Sequence, residues 1–147
     1  AVFYRNDVPV YLFAHVAYDL GMLFNYCMYA IERNSYGLSM IDKLRREMGY
    51  LQVLRFNRFD KIKGILQSEY GFYTDNVNKT KLMNDFKECF ETGIVLINDK
   101  ETLDQMKTYV QDSRGRLRNL AGTNNKDDLV DAFALSVQSL KENKSYI

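Results

Sequence analysis

Three carboxylates stand where this sequence has the means to do chemistry. Glu32 closes an apolar run, and Asp127 and Asp128 open the last helical pattern. Met28-Tyr29-Ala30-Ile31 leads into Glu32-Arg33-Asn34-Ser35-Tyr36-Gly37, after which helical spacing begins. The pattern predicts a strand that stops at Glu32 and turns into a helix. In open α/β sheets the working crevice lies beyond the carboxyl ends of the strands, so Glu32 is a candidate catalytic acid. A strand-end acid is also a common turn or ion-pair residue, and the position alone does not decide between the roles.

Asp127-Asp128-Leu129-Val130-Asp131-Ala132-Phe133-Ala134-Leu135 is the second informative stretch. Acids in a first helical turn stabilise it through the macrodipole, which gives both aspartates a structural explanation. At about 100° per residue, Leu129, Phe133, Ser136 and Leu140 define a buried face. That places Asp127 on the far side with Asp131 and Gln138, and Asp128 on the flank beside Ala132, Leu135 and Ser139. A carboxylate at such a boundary is partly desolvated and needs compensation. Asp128 is therefore the preferred metal-ligand candidate, with Asp127 a cap or outer ligand. Carboxylates converging at a sheet edge, without a His or Cys cluster, suit Mg²⁺ or Mn²⁺ rather than zinc. The chemistry natural to such a site is two-metal phosphodiester hydrolysis.

The elements that must position these acids alternate. Val2-Phe3-Tyr4 reads as a short strand. A helix follows, capped by Asp7 with Pro9 in its first turn, and Val10, Phe13, Ala14, Ala17, Leu20, Leu23 and Phe24 recur along it at helical spacing. Cys27 to Ile31 is an apolar strand covered on both faces. A helix from near Ser35 carries the stripe Leu38, Ile41, Leu44 and Met48 and ends at Gly49. Leu51 to Phe56 is a further strand, and this order argues for a βαβ-type sheet with helices on its faces. From Asn57 to Asn78 periodicity is poor, and Tyr70-Gly71-Phe72-Tyr73-Thr74 reads as a loop. A helix opening at Lys79-Thr80-Lys81 buries Leu82, Met83, Phe86, Cys89 and Phe90. Ile94 to Ile97 is a short strand, Thr102 to Met106 a brief helix, Tyr109 to Gln111 a strand, and Ser113 to Arg118 a cation-rich turn. The last helix runs from about Asp127 to Lys141. One domain is expected, and the strand-like run at residue 1 suggests a fragment.

Composition excludes several classes. The 147 residues carry 20 Lys+Arg against 19 Asp+Glu, a net charge of +1, so any nucleic-acid contact must come from a local patch. Hydrophobic residues make up 46% and charged residues 27%, as in ordinary globular chains. Cys27 and Cys89 both fall on apolar stripes, which argues against a disulfide framework and for a reducing compartment. No run has the length of a membrane span and no signal peptide opens the chain. His15, the only histidine, lacks a metal-binding partner and reads as a helix-surface or packed residue.

The Ile31-Glu32-Arg33-Asn34-Ser35-x-Gly37 turn and the closing Asp127-Asp128-Leu129-Val130 helix resemble the nuclease domain of the large terminase subunit of tailed double-stranded DNA bacteriophages. The opening Val2-Phe3-Tyr4-Arg5-Asn6, and then Tyr70-Gly71-Phe72-Tyr73-Thr74, Lys79-x-Lys81-Leu82 and Ile94-Val95-Leu96-Ile97, fall in the order that family shows. The resemblance covers essentially the whole chain. It implies an α/β, RNase H-like mixed sheet with helices on both faces, and a metal-dependent endonuclease that cuts concatemeric double-stranded DNA. Glu32 would carry over as the acid ending the fourth core strand, Asp128 as the acid of the C-terminal helix, and Asp127 as its neighbour, all three serving a Mg²⁺ or Mn²⁺ site. In the intact motor an ATPase domain precedes the nuclease. The partners are then the portal protein and the small terminase subunit, in the cytoplasm of the infected host and with no membrane.

The family's first catalytic Asp lies on a strand before the one matched by Val2 to Arg5, so the first two core strands are expected to be missing here. Asp7 follows the third strand and does not replace that acid. The chain is therefore expected to be poorly active alone, and a dimer of the fragment would cover the gap. For DNA contact the candidates are Arg33, Asn34, Lys79, Lys81, Arg114, Arg116 and Arg118, each with a plain alternative as a solvated cation or, for Asn34, a turn residue. Two other readings stay open: another RNase H-like nuclease (transposase, integrase or junction resolvase), and a non-catalytic module that docks on the packaging motor.

Overall fold

The computed structural model describes residues 1–60, 64–111, 113, 117–120 and 126–142, with backbone alone at 58, 60 and 142. The protein is α/β: five α-helices and two small antiparallel sheets are found among the described residues. The chain has two compact units: one is Arg5–Thr74, the other comprises Ala1–Tyr4 and Asp75–Ile147. No helix among the described residues is long and apolar enough to cross a membrane.

In the Arg5–Thr74 unit, α1 (Val10–Leu23) starts at Pro9, whose extended backbone leads into the first turn without a side-chain cap. Asp7, expected to cap it, pairs with Arg5 at 2.6 Å instead. The small residues Ala14, Ala17 and Gly21 form the buried stripe of α1. They let it approach α2 (Ser35–Asp42), and Tyr50 closes over Gly21 so tightly that a Cβ there would overlap its phenol. A π-helical turn, Lys43–Glu47, extends α2, and Gly49 at φ +67° releases the chain. Ala17, Met40, Ile41, Leu44, Tyr50 and Val53 make the core, with Tyr29 and Ile31 packed against it.

The expected strands appear in reduced form. Residues around Tyr29 and Glu32 form isolated parallel bridges to Val53 and Phe72, and Arg55 bridges Gly71 in the same sense. The regular sheet of this unit is a hairpin, β1 (Arg55–Asp60) with β2 (Ile65–Tyr70). It falls in the stretch whose periodicity reads as loop, because Ile65 and Leu66 of β2 both stand exposed and no one-sided alternation marks it.

In the Asp75–Ile147 unit, α3 (Asn76–Glu91) is capped by the Asp75 side chain, which accepts the Asn78 N–H. It packs against α5 (Asp128–Glu142), and α4 (Lys100–Lys107) packs against α5 as well. Phe86 of α3 meets Phe133 of α5 with ring centroids 5.5 Å apart. Lys141 of α5 ties back to Asp85 and Glu88 at 2.9 and 2.7 Å. A second hairpin pairs β3 (Tyr109–Gln111) with β4 (Leu117–Asn119). Neither Val2 to Tyr4 nor Ile94 to Ile97 is a strand. The second run is apolar in sequence, yet Leu96 is 77% exposed.

Candidate functional site

Glu32 sits at the head of α2, and the local sequence explains how it is held. Asn34 is the N-cap: its Oδ1 accepts the Gly37 N–H at 2.7 Å, an arrangement typically worth about 1 kcal/mol. The same amide reaches back, with Nδ2 donating to the Glu32 carboxylate at 3.1 Å. Gly37 is required by close approach, since a Cβ there would overlap the Glu32 carbonyl oxygen and lie 3.0 Å from its carbon. Backbone pairing fixes the other side, with the Arg33 N–H donating to the Phe72 carbonyl at 2.7 Å. Arg33 turns away from Glu32: its guanidinium donates to the Tyr70 carbonyl and to the Glu69 carboxylate, both at 3.2 Å. Among the described residues Glu32 is therefore answered by a neutral amide and by no cation.

The two aspartates before α5 lie in the other unit. The helix buries Leu129, Val130, Ala134, Leu135, Val137 and Gln138, a face turned by roughly 100°, one residue's step, from the Leu129-Phe133-Ser136-Leu140 face. Leu140 is 51% exposed and Gln138 is 1% exposed. The small apolar row Val130-Ala134-Val137 faces the core, and the bulk of Phe133 and Leu140 misdirects the sequence reading. The aspartates exchange places accordingly. Asp127 and Asp131 come to the edge of the buried face, and Asp128 is exposed.

Lys79 answers the half-buried pair. Its ammonium lies 2.7 Å from Asp131 and 3.6 Å from Asp127, with side-chain exposures of 22%, 30% and 33% for the three residues. Tyr109 completes the cluster, its hydroxyl donating to Asp131 at 3.3 Å. Burial opposes the lysine's charge, but the hydrogen bond and charge of Asp131, with Asp127 behind, hold the ammonium above its usual range. Burial lifts the Asp131 carboxyl above the usual carboxylate range even with Lys79 beside it. Burial, then the neighbouring Asp131 charge, likewise raise the Tyr109 phenol. One ammonium thus serves two carboxylates. Lys79 was a candidate DNA contact, and here its charge is committed within the protein.

Asp128 has a different neighbour. The Tyr4 hydroxyl donates to its carboxylate at 2.9 Å, and the Lys126 ammonium lies 5.3 Å from the Tyr4 ring centroid. The first turn of α5 is set by Gln105, buried on α4, whose Oε1 accepts the Leu129 N–H at 2.9 Å. Asp128 is exposed and paired with a neutral hydroxyl, where the sequence placed it partly desolvated on a flank.

Of the other candidates, Lys81 on α3 and Arg118 on β4 are exposed, while Arg114 and Arg116 lie outside the described residues. Glu32 and the Asp127–Asp128 pair belong to different compact units. Carboxylate oxygens are the donor type for a hard divalent cation. Among the described residues, however, no three His, Cys, Asp or Glu side chains gather to hold a metal ion. Sequence reasoning missed Asp131 and Tyr109 as site residues; the signal for Asp131 was its one-turn (i, i+4) spacing from Asp127. A scan against protein-family models and a search of curated proteins found no match for the chain.

Proposed function

We propose that the chain is a metal-dependent endonuclease domain of RNase H-like type, similar to the nuclease of phage large terminase subunits, acting on concatemeric double-stranded DNA. The observation that carries this reading is the Glu32 turn. An extended segment ends in a carboxylate, a capping Asn34 hydrogen-bonds it, and among the described residues no cation neutralises it. A structural ion-pair acid would have its partner in place; a ligand acid keeps its charge for the ligand.

Glu32 and Asp128, each in its own unit, are the residues proposed as carboxylate ligands for Mg²⁺ or Mn²⁺. Asn34 orients the Glu32 carboxylate through its amide, and the Tyr4 hydroxyl does the same for Asp128. Asp127, drawn toward Lys79, acts as an outer carboxylate. Such ions supply an activated water and stabilise the leaving oxygen of the phosphodiester. The partners on this reading are double-stranded DNA, a portal protein and a small terminase subunit, in the host cytoplasm.

Nicking of supercoiled plasmid in Mn²⁺ tests it. Slow nicking that EDTA stops and that Glu32→Gln and Asp128→Asn abolish is the expected result. Nicking that persists in EDTA, or that Glu32→Gln leaves unchanged, contradicts the reading.

A further inference from the structure

We propose that Arg45, Arg55 and Arg33, gathered around Tyr70 in the Arg5–Thr74 unit, form an anion subsite that takes the phosphate of a nucleic-acid backbone. The three come from separate elements. Arg45 lies on the π-helical turn and its Cζ sits 3.3 Å from the Tyr70 ring centroid. Arg55 opens β1 with its Cζ 4.9 Å from the same ring. Arg33 holds the Tyr70 carbonyl from the Glu32 turn. Turns of π type within helices recur at functional sites.

The charges do not balance. Glu69 answers Arg33, and no carboxylate among the described residues pairs with Arg45 or Arg55. The nearby acids of the same helix are engaged elsewhere, Asp42 with Arg46 and Glu47 with Lys43. Among the described residues Arg55 donates a long hydrogen bond, 3.4 Å, to the Ser68 carbonyl. The Arg45 Nε is buried and has no hydrogen-bond partner among the described residues. A permanently charged group left uncompensated and partly buried is costly, and an anion drawn beside the guanidinium would offset that cost.

Guanidinium forks match phosphate oxygens in bidentate geometry. Arg45 is stacked on the Tyr70 ring and Arg55 lies near it, so the tyrosine serves the arginines and is not an open platform for a base. Contacts of this kind position a backbone without reading sequence. Assigning the phosphate to a nucleic acid rests on the endonuclease reading, because Arg33 directly follows the proposed catalytic Glu32.

The test is fluorescence anisotropy of a short labelled DNA duplex with the full chain over a range of salt. Arg45→Met and Arg55→Met should each weaken binding about tenfold and reduce the slope of log affinity against log salt by about one. Arg46→Met, which removes only a solvent-facing ion pair, should change neither. If Arg45→Met fails to fold by circular dichroism, the exposed Arg55→Met decides. Wild-type affinity and slope in folded Arg45→Met and Arg55→Met overturn the subsite while leaving Glu32-dependent nicking, and so the endonuclease reading, standing. Binding of inorganic phosphate by calorimetry without any binding of the duplex overturns the nucleic-acid assignment.

Discussion

Replacing Lys79 with methionine removes the one cation that, among the described residues, serves Asp131 and Asp127, while keeping the length and apolar stem of the side chain. Breaking a fully buried ion pair by deleting one partner costs about 3–5 kcal/mol, whereas exposed pairs are worth about 0.5 kcal/mol. With Lys79 at 22% and Asp131 at 30% exposure, the expected loss lies between, about 2 kcal/mol, or roughly 4–8 °C in Tm for a chain of this size. Asp131→Asn should cost less, about 1 kcal/mol, because it also removes a carboxylate whose burial is unfavourable, and Lys79 keeps Asp127. A double-mutant cycle should therefore return a coupling of about 1 kcal/mol or more.

The pH dependence has a definite sign. The Asp131 carboxyl is raised by burial, and the hydrogen bond and charge of Lys79 act to lower it. Removing Lys79 raises it further. A raised folded-state value gives stability that is present below the unfolded pKa and lost as pH rises through the folded one. The deficit of Lys79→Met should thus be largest near neutrality and shrink as pH falls toward about 4. Urea titrations of wild type and variant at several pH values measure it. A deficit that is independent of pH, or a variant that melts with wild type, refutes the account of this cluster.

Two further outcomes follow from the Arg5–Thr74 unit. Gly37→Ala forces a Cβ onto the Glu32 carbonyl and should cost about 3 kcal/mol in a urea melt; unchanged stability would mean the turn is not packed this closely. The Tyr29 phenol donates to the Ala17 carbonyl at 2.6 Å and is pushed up to about 12, by burial first and by Cys27 second. Its contribution is present below about pH 10 and lost as pH rises toward about 12. Tyr29→Phe should therefore lose less stability than wild type over that window, and equal losses would contradict the assignment.

What the sequence makes legible is what local chemistry decides. The turn after Glu32, with Asn34 as a turn residue, and the approximate positions of α3, α4 and α5 follow from residues within a few places of one another. The β1–β2 hairpin is hidden because residues of β2 are exposed without one-sided alternation. The apolar run Ile94 to Ile97 misleads because hydrophobicity alone does not supply a strand to pair with. The acid roles around α5 turn on which row is buried, and small Val130, Ala134 and Val137 are buried more deeply than larger Phe133 and Leu140. The match of Lys79 to Asp131 spans 52 residues, and no local pattern announces it. The same holds for Arg45, brought to Tyr70 by a π-helical turn that periodicity does not reveal.

The central claim is that Glu32 and Asp128 are ligand acids whereas Asp131 is a structural one. Titration of Mn²⁺ into the chain, followed by the loss of the free-ion electron paramagnetic resonance signal, separates these roles directly. Binding in wild type that Glu32→Gln and Asp128→Asn each weaken at least tenfold, and that Asp131→Asn leaves within about twofold, is the predicted result. Equal Mn²⁺ binding by wild type, Glu32→Gln and Asp128→Asn would contradict it.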